Sequence, residues 1–263
     1  MSAVYGLGKF HFRDDGGVCM GILTGQARKH IWDYSVDDCA QMLVSLSRAN
    51  VKSPGFVNRV LERVCVDSVK DASFESLVNL MTGFARFGVK DSRKKQAWQI
   101  LANELSLRLA NNFSKESSFR IPDLLNAITA YSYPNINRPH VELFEAVSSQ
   151  IRSHDAVPMT TPEVIKYLKA CARVQYRDVE GLVYCGACLR KGVDGITSFS
   201  KEQLLDIYSS LNKLGAQMDE ITLELQARGF AVSNETDAES TTWFKRRSTQ
   251  NTTQSRNRRG RFS

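Results

Sequence analysis

The chain of 263 residues is 42% hydrophobic, enough to bury a sizeable core, and it holds no apolar run near the roughly 18 residues of a membrane span. Its 35 Lys and Arg exceed its 28 Asp and Glu by seven, and the last 19 residues hold seven cations and no acid. A membrane-spanning helix is not expected, and an evenly basic body is excluded: residues 1–244 are formally neutral, and the positive charge belongs to an appended tail.

Residues 1–31 read as an N-terminal extension whose Tyr5, Phe10 and Phe12 suit docking on something larger. Lys9 and Arg13 stand without acid among the first 13 residues, as in an organellar presequence, but Asp14 and Asp15 follow at once, so no clear presequence is present. Gly6-Leu-Gly8-Lys9 lacks the third glycine and the preceding strand of a dinucleotide fingerprint. Six cysteines scattered along a chain without a secretory signal point to reduced thiols in an intracellular compartment.

Residues 32–231 carry an internal repeat. The pattern Leu77-Val-Asn-Leu-Met-Thr-Gly-Phe-Ala-Arg-Phe-Gly-Val89 recurs without gaps at 39–51, 124–136, 164–176 and 204–216, with successive ends 38, 47, 40 and 40 residues apart. The first, fourth, fifth and eighth columns are apolar: Cys39, Met42, Leu43 and Leu46 in the first copy and Leu77, Leu80, Met81 and Phe84 in the second. That spacing is one stripe of an α-helix. The ninth column is small throughout (Ser47, Ala85, Ser132, Ala172, Asn212), which predicts a neighbouring backbone close by.

Ser35, Ser73, Thr161 and Ser200 each precede acid within a first turn and are the expected helix caps. Asn50, Gly88, Asn135 and Gly215 share the twelfth column, where a left-handed stop is expected; Gln175 is the exception. A second amphipathic segment follows each stop, at 56–66, 95–109, 140–151, 179–189 and 221–230. Helix, turn, helix, repeated, predicts an all-α fold: an α-solenoid of about five stacked helical hairpins, followed by a disordered basic tail at 232–263.

Stacking equivalent helices lines up the third column (Gln41, Asn79, Asn126, Lys166, Asp206), the sixth (Val44, Thr82, Thr129, Lys169, Ser209) and the tenth (Arg48, Arg86, Tyr133, Arg173, Lys213). Such a strip is either the ordinary solvated face of amphipathic helices or an RNA groove, with cations on phosphate, Asn and Gln on base edges and Tyr133 stacking on a base. Lys90, Arg93, Lys94 and Lys95 cluster at the start of a second helix, where cations oppose the helix dipole and would suit a phosphate. The tail cations Lys245, Arg246, Arg247, Arg256, Arg258, Arg259 and Arg261 lie among Ser, Thr, Gln and Asn, a composition that folds against RNA or stays free.

Cys185-Gly-Ala-Cys188 has the inner spacing of a zinc or redox pair, but no second pair accompanies it, so both are expected as buried helix cysteines with Gly186 and Ala187 allowing close packing. No Walker loop and no Gly-x-Ser-x-Gly elbow is present. No catalytic residue, metal or cofactor is expected.

The helix endings Ser47-Arg-Ala-Asn-Val51, Ala85-Arg-Phe-Gly-Val89, Ala172-Arg-Val-Gln-Tyr176 and Asn212-Lys-Leu-Gly-Ala216 resemble the Ala-Lys/Arg-Leu-Gly-Tyr endings of organellar helical repeats. Those repeats occur in heptatricopeptide and octotricopeptide repeat proteins and in the helical part of the FAST kinase and RAP-domain family; the likeness covers residues 35–216. The resemblance implies a mitochondrial, non-enzymatic RNA-binding or scaffold subunit of a ribonucleoprotein complex serving RNA editing, RNA processing or the mitoribosome. Its partners would be single-stranded or structured organellar RNA and other protein subunits, with no membrane. The alternative is an armadillo- or HEAT-like protein scaffold that touches no RNA.

Overall fold

A computed structural model describes residues 18–66, 69–89, 95–111, 119–133, 140–153, 158–191 and 195–230. Among them the regular structure is helical, with eleven α-helices and no strand. In chain order these are α1 (Val18–Lys29), α2 (Val36–Arg48), α3 (Pro54–Val66), α4 (Phe74–Arg86), α5 (Lys95–Asn111), α6 (Ile121–Tyr131), α7 (Val141–Ser153), α8 (Thr161–Val174), α9 (Val179–Lys191), α10 (Lys201–Lys213) and α11 (Asp219–Ala227). The chain divides into two compact units, residues 1–193 with α1–α9 and residues 194–263 with α10 and α11. The division falls within the stretch read as one repeat domain.

In the first unit α2, α4, α6 and α8 each pack on the next, and α1, α3, α5, α7 and α9 do the same. The two rows are joined by the hairpin pairs α2–α3, α4–α5, α6–α7 and α8–α9. Helix α1 takes a place in the row of second helices, although residues 18–29 belong to the stretch expected as an extension. All residues of the first, fourth, fifth and eighth columns in these four copies are buried, so the stripe read from periodicity is the core. In the second unit Leu204, Ile207 and Leu211 are buried and Tyr208 is half-buried. A ladder of aromatic rings crosses the first unit between the rows, from Phe84 to Trp98 at 6.2 Å, Tyr131 at 6.1 Å, Phe144 at 6.4 Å and Tyr176 at 5.1 Å.

The helix starts follow from capping chemistry. The Ser35 hydroxyl accepts from the Asp38 amide and Asp38 accepts back from the Ser35 amide; Ser73 and Ser200 accept from the amides of Ser76 and Gln203. The cap of α8 is Thr160, one residue before the expected Thr161: the Glu163 carboxylate accepts from both its amide and its hydroxyl at 2.8 Å.

The stops recur in one form. Asn50, Gly88, Gln175 and Gly215 all adopt positive φ near 60°, and the amides of Val51, Val89, Tyr176 and Ala216 bond back to the carbonyls of Leu46, Phe84, Cys171 and Leu211. Gln175, which breaks the Gly/Asn pattern, is bent into the same left-handed stop by the bond that Tyr176 makes. Asn135 lies outside the described residues. Helix α6 ends early at Tyr131, leaving Tyr133 beyond it. Pro134 explains this, because a residue before proline is pushed out of the helical region.

A close approach between neighbouring first helices falls in the seventh column, at Gly83. Ser45, Gly83, Ala130, Ala170 and Ser210 of that column are all small and all buried; in the ninth column Ala85, Ser132 and Ala172 are buried too, Ser47 is half-buried and Asn212 is exposed. At Gly83 an added Cβ would come within 2.5 Å of Leu43 Cδ2, in a side chain that is itself fully buried. Gly83→Ala should therefore destabilise by about 1–3 kcal/mol despite the better helix propensity of alanine, measured as a lowered urea midpoint at unchanged slope.

A further repeated device was not read from the sequence. Each of three second helices ends in an arginine that turns back onto the 3₁₀ turn ahead of its own first helix. Arg63 donates to the Ile31 carbonyl; Arg108 donates to the carbonyls of Ala72, Lys70 and Val69; Arg228, in the second unit, donates to those of Phe199 and Thr197 at 2.8 and 2.7 Å. A glutamate one turn earlier orients two of them, with Arg108 on Glu104 and Arg228 on Glu224 at 2.8 and 2.7 Å. The Glu-x-x-x-Arg spacing was the legible signal.

Candidate nucleic-acid interface

The row α2, α4, α6, α8 sets equivalent columns side by side. Asn79, Thr82, Asn126, Thr129, Lys166 and Lys169 are half-buried, while Gln41, Arg48, Arg86, Tyr133 and Arg173 are exposed. Val44 departs from the strip: it is buried. Contacts run between repeats. The Lys166 ammonium donates to Asn126 Oδ1, the Arg86 guanidinium donates to the Ser47 hydroxyl at 3.1 Å, and the Arg173 guanidinium lies 6.0 Å from the centre of the Tyr133 ring. Asp206, Ser209 and Lys213 belong to the second unit, on α10, with Asp206 half-buried and the other two exposed.

Burial pulls the Lys166 ammonium below the ordinary lysine range; Glu163 and Asp123 oppose that shift, and Arg86 adds to it. The charged lysine is therefore held at a cost to the native state, a cost relieved as pH rises through its lowered folded value. Lys166→Met should hold or raise the melting temperature at neutral pH, since it keeps the packed stem and removes the desolvated charge. Calorimetry checks this, and a drop in melting temperature would mark Lys166 as a structural contact.

Lys90, Arg93 and Lys94 lie outside the described residues, as do Lys245, Arg246, Arg247, Arg256, Arg258, Arg259 and Arg261. Lys95 is the first residue of α5. The structure thus brings Lys166 onto Asn126 with Arg86 acting on its charge, and Arg173 onto Tyr133, with Asn79 and Lys169 on the same row of helices.

Two groupings escaped the sequence reading. One is a cleft of about 290 Å³ between the α2–α3 turn and the end of α4, walled by Asn50, Lys52, Ser53, Asn58, Arg86 and Phe87 among others. The other is a polar cluster around Asp178. Its carboxylate accepts from the Ser148 hydroxyl, from Tyr167 OH at 2.9 Å and from Arg152 at 3.1 Å, and Arg152 reaches Glu180 at 3.0 Å. The Leu182 amide bonds to the Asp178 carbonyl, which makes Asp178 the cap of α9. Burial pushes this carboxyl up, but the bonds from Ser148, the Gly181 amide and Tyr167, with Arg152 beside it, outweigh burial and hold it below the usual carboxylate range. Burial also drives Tyr167 well up, so at neutral pH the pair stays carboxylate and phenol, a fixed cap rather than a proton relay.

Cys185 and Cys188 are buried as expected, but Gly186 and Ala187 face outward, and the close contact on α9 falls at Gly181, against Asp178 and Tyr167. Burial pushes the neighbouring Cys171 thiol up to about 12. Among the described residues no group of three or more His, Cys, Asp or Glu is placed to hold a metal ion, and no helix is long and apolar enough to cross a membrane.

No family model matches the chain, and no curated protein matches it. What the molecule does must therefore be argued from its own surface.

Proposed function

We propose that the chain is an α-solenoid of helical hairpins that binds single-stranded RNA along its first helices and with its basic tail, as a non-enzymatic subunit of a mitochondrial ribonucleoprotein. The observation that carries this reading is the surface shared by α4, α6 and α8. Arg86, Lys166 and Arg173 supply phosphate-binding charge beside the Asn126 amide and the exposed Tyr133 ring, and Lys166 keeps its charge at an electrostatic cost that an anion would offset. The mitochondrial assignment rests on the resemblance of the helix endings alone.

The test is a fluorescence anisotropy titration of the full chain against a labelled single-stranded oligouridylate at increasing salt. Binding near 0.15 M salt is expected, and Arg173→Ala should weaken it without lowering the melting temperature. Removing residues 244–263 takes away seven cations; with four or five of them on phosphates, the slope of log K against log salt should flatten by about 3. Absence of binding would leave the protein-scaffold alternative. Exposed Val141, Val179 and Val183 on the second helices favour that reading.

A further inference from the structure

The cleft between the first two hairpins shares only Arg86 with the strip read from the sequence, and its chemistry is one-sided. Its walls come from the α2–α3 turn (Asn50, Lys52), the start of α3 (Ser53, Asn58) and the end of α4 (Arg86, Phe87), and no carboxylate is among the residues lining it. The first turn of α3 likewise contains no acid, although that end of a helix carries positive partial charge and is usually matched by one. A third cation stands close by: Arg28 of α1 lies against Gly55 in that same turn, its Nη1 2.8 Å from where a Cβ would sit. Three cations thus gather around a helix start that already repels them, an arrangement that an anion would stabilise.

The remaining walls narrow the kind of anion. Phe87 is half-buried and lines the cleft, and an aromatic ring there is a stacking surface for any base. The exposed Asn50 and Asn58 amides each offer donors and an acceptor. A volume of about 290 Å³ sits at the small end of ligand sites, suited to a single nucleotide rather than a base pair. Arg86 belongs both to this cleft and to the strip, so a strand lying on the strip is led into the cleft at its α4 end.

We propose that this cleft holds one nucleotide of a single-stranded RNA, with its phosphate between Lys52 and Arg86 and its base against Phe87. The proposal rests on the RNA-binding reading above and adds to it a fixed point where the strand is anchored. Asn50 and Asn58 would give this nucleotide a base preference.

The test uses the full chain and Lys52, which is exposed and outside the strip, so that its loss touches the cleft alone. Lys52→Ala should weaken oligouridylate binding about fourfold near 0.15 M salt and reduce the salt slope by about 0.7, one phosphate contact, with Lys52→Arg restoring both. Photocrosslinking with a 4-thiouridine oligonucleotide should label the peptide that contains Phe87. If the chain binds RNA but Lys52→Ala leaves the slope unchanged, or crosslinks fall only on other peptides, the cleft assignment is overturned while the RNA reading stands. If the unaltered chain binds no RNA at all, both fall together.

Discussion

Phe84→Ala is expected to destabilise the first unit by about 3–5 kcal/mol, a large share of the stability of a domain this size. Phe84 has no exposed surface and sits at the head of the aromatic ladder, with its ring 6.2 Å from Trp98. Truncation removes the transfer energy of a whole phenyl ring and leaves a cavity. Collapse into that cavity is obstructed on the α2 side, where the neighbouring first helices already touch at Gly83 and Leu43. Chemical denaturation should show a lower midpoint. A cost below about 1 kcal/mol would mean that the rows can slide together, and that the contact at Gly83 does not fix their spacing.

Asp178→Asn should cost about 3 kcal/mol, more than the loss of an ordinary helix cap at about 1 kcal/mol. The side chain is 12% exposed, and it organises two neutral donors and a guanidinium that is itself 28% exposed. The amide keeps the shape but loses the charge, leaving Arg152 with Glu180 as its ion-pair partner beside the neutral Ser148 hydroxyl. The same change alters the response to acid. A carboxyl held below its ordinary value contributes stability that is fully present above that ordinary value and lost as pH falls through the depressed folded value. The unaltered chain should therefore lose stability steeply at the acid end of the carboxylate range, and Asp178→Asn should flatten that limb. Equal slopes in melting temperature against pH for the two proteins would show that the acid transition belongs to other carboxylates.

The apolar columns were fully legible because helical burial repeats with a period the chain cannot hide: Leu77, Leu80, Met81 and Phe84 could lie on no other stripe. The caps were legible to within one residue. Thr160 and Thr161 offer the same hydroxyl, and only the reach of Glu163 chooses between them. Small residues in the seventh and ninth columns looked alike in the sequence. Which of them meets a neighbour depends on the angle between helices, and that angle is set by side chains such as Leu43 in a different repeat. The strip was legible as a pattern of columns, but the pairing of Lys166 with Asn126 depends on how far successive helices are offset. The cleft was not legible at all. Lys52 closes one turn, Asn58 belongs to the helix after it, and Arg86 and Phe87 arrive from the next hairpin, so no window of sequence contains the site.

The arginines that end α3, α5 and α11 also bear on how the molecule comes apart. Each ties the exit of a hairpin to its own entrance, and none of these bonds reaches the hairpin next door. These three hairpins thus each carry a polar, directional tie of their own, whereas neighbouring hairpins are joined by buried apolar columns together with polar bonds such as those around Asp178. Under tension from one terminus a hairpin closed by its own arginine is expected to leave its neighbour as one quantum of roughly forty residues, still knotted at its base, and the seam crossed by the Asp178 cluster to hold longest.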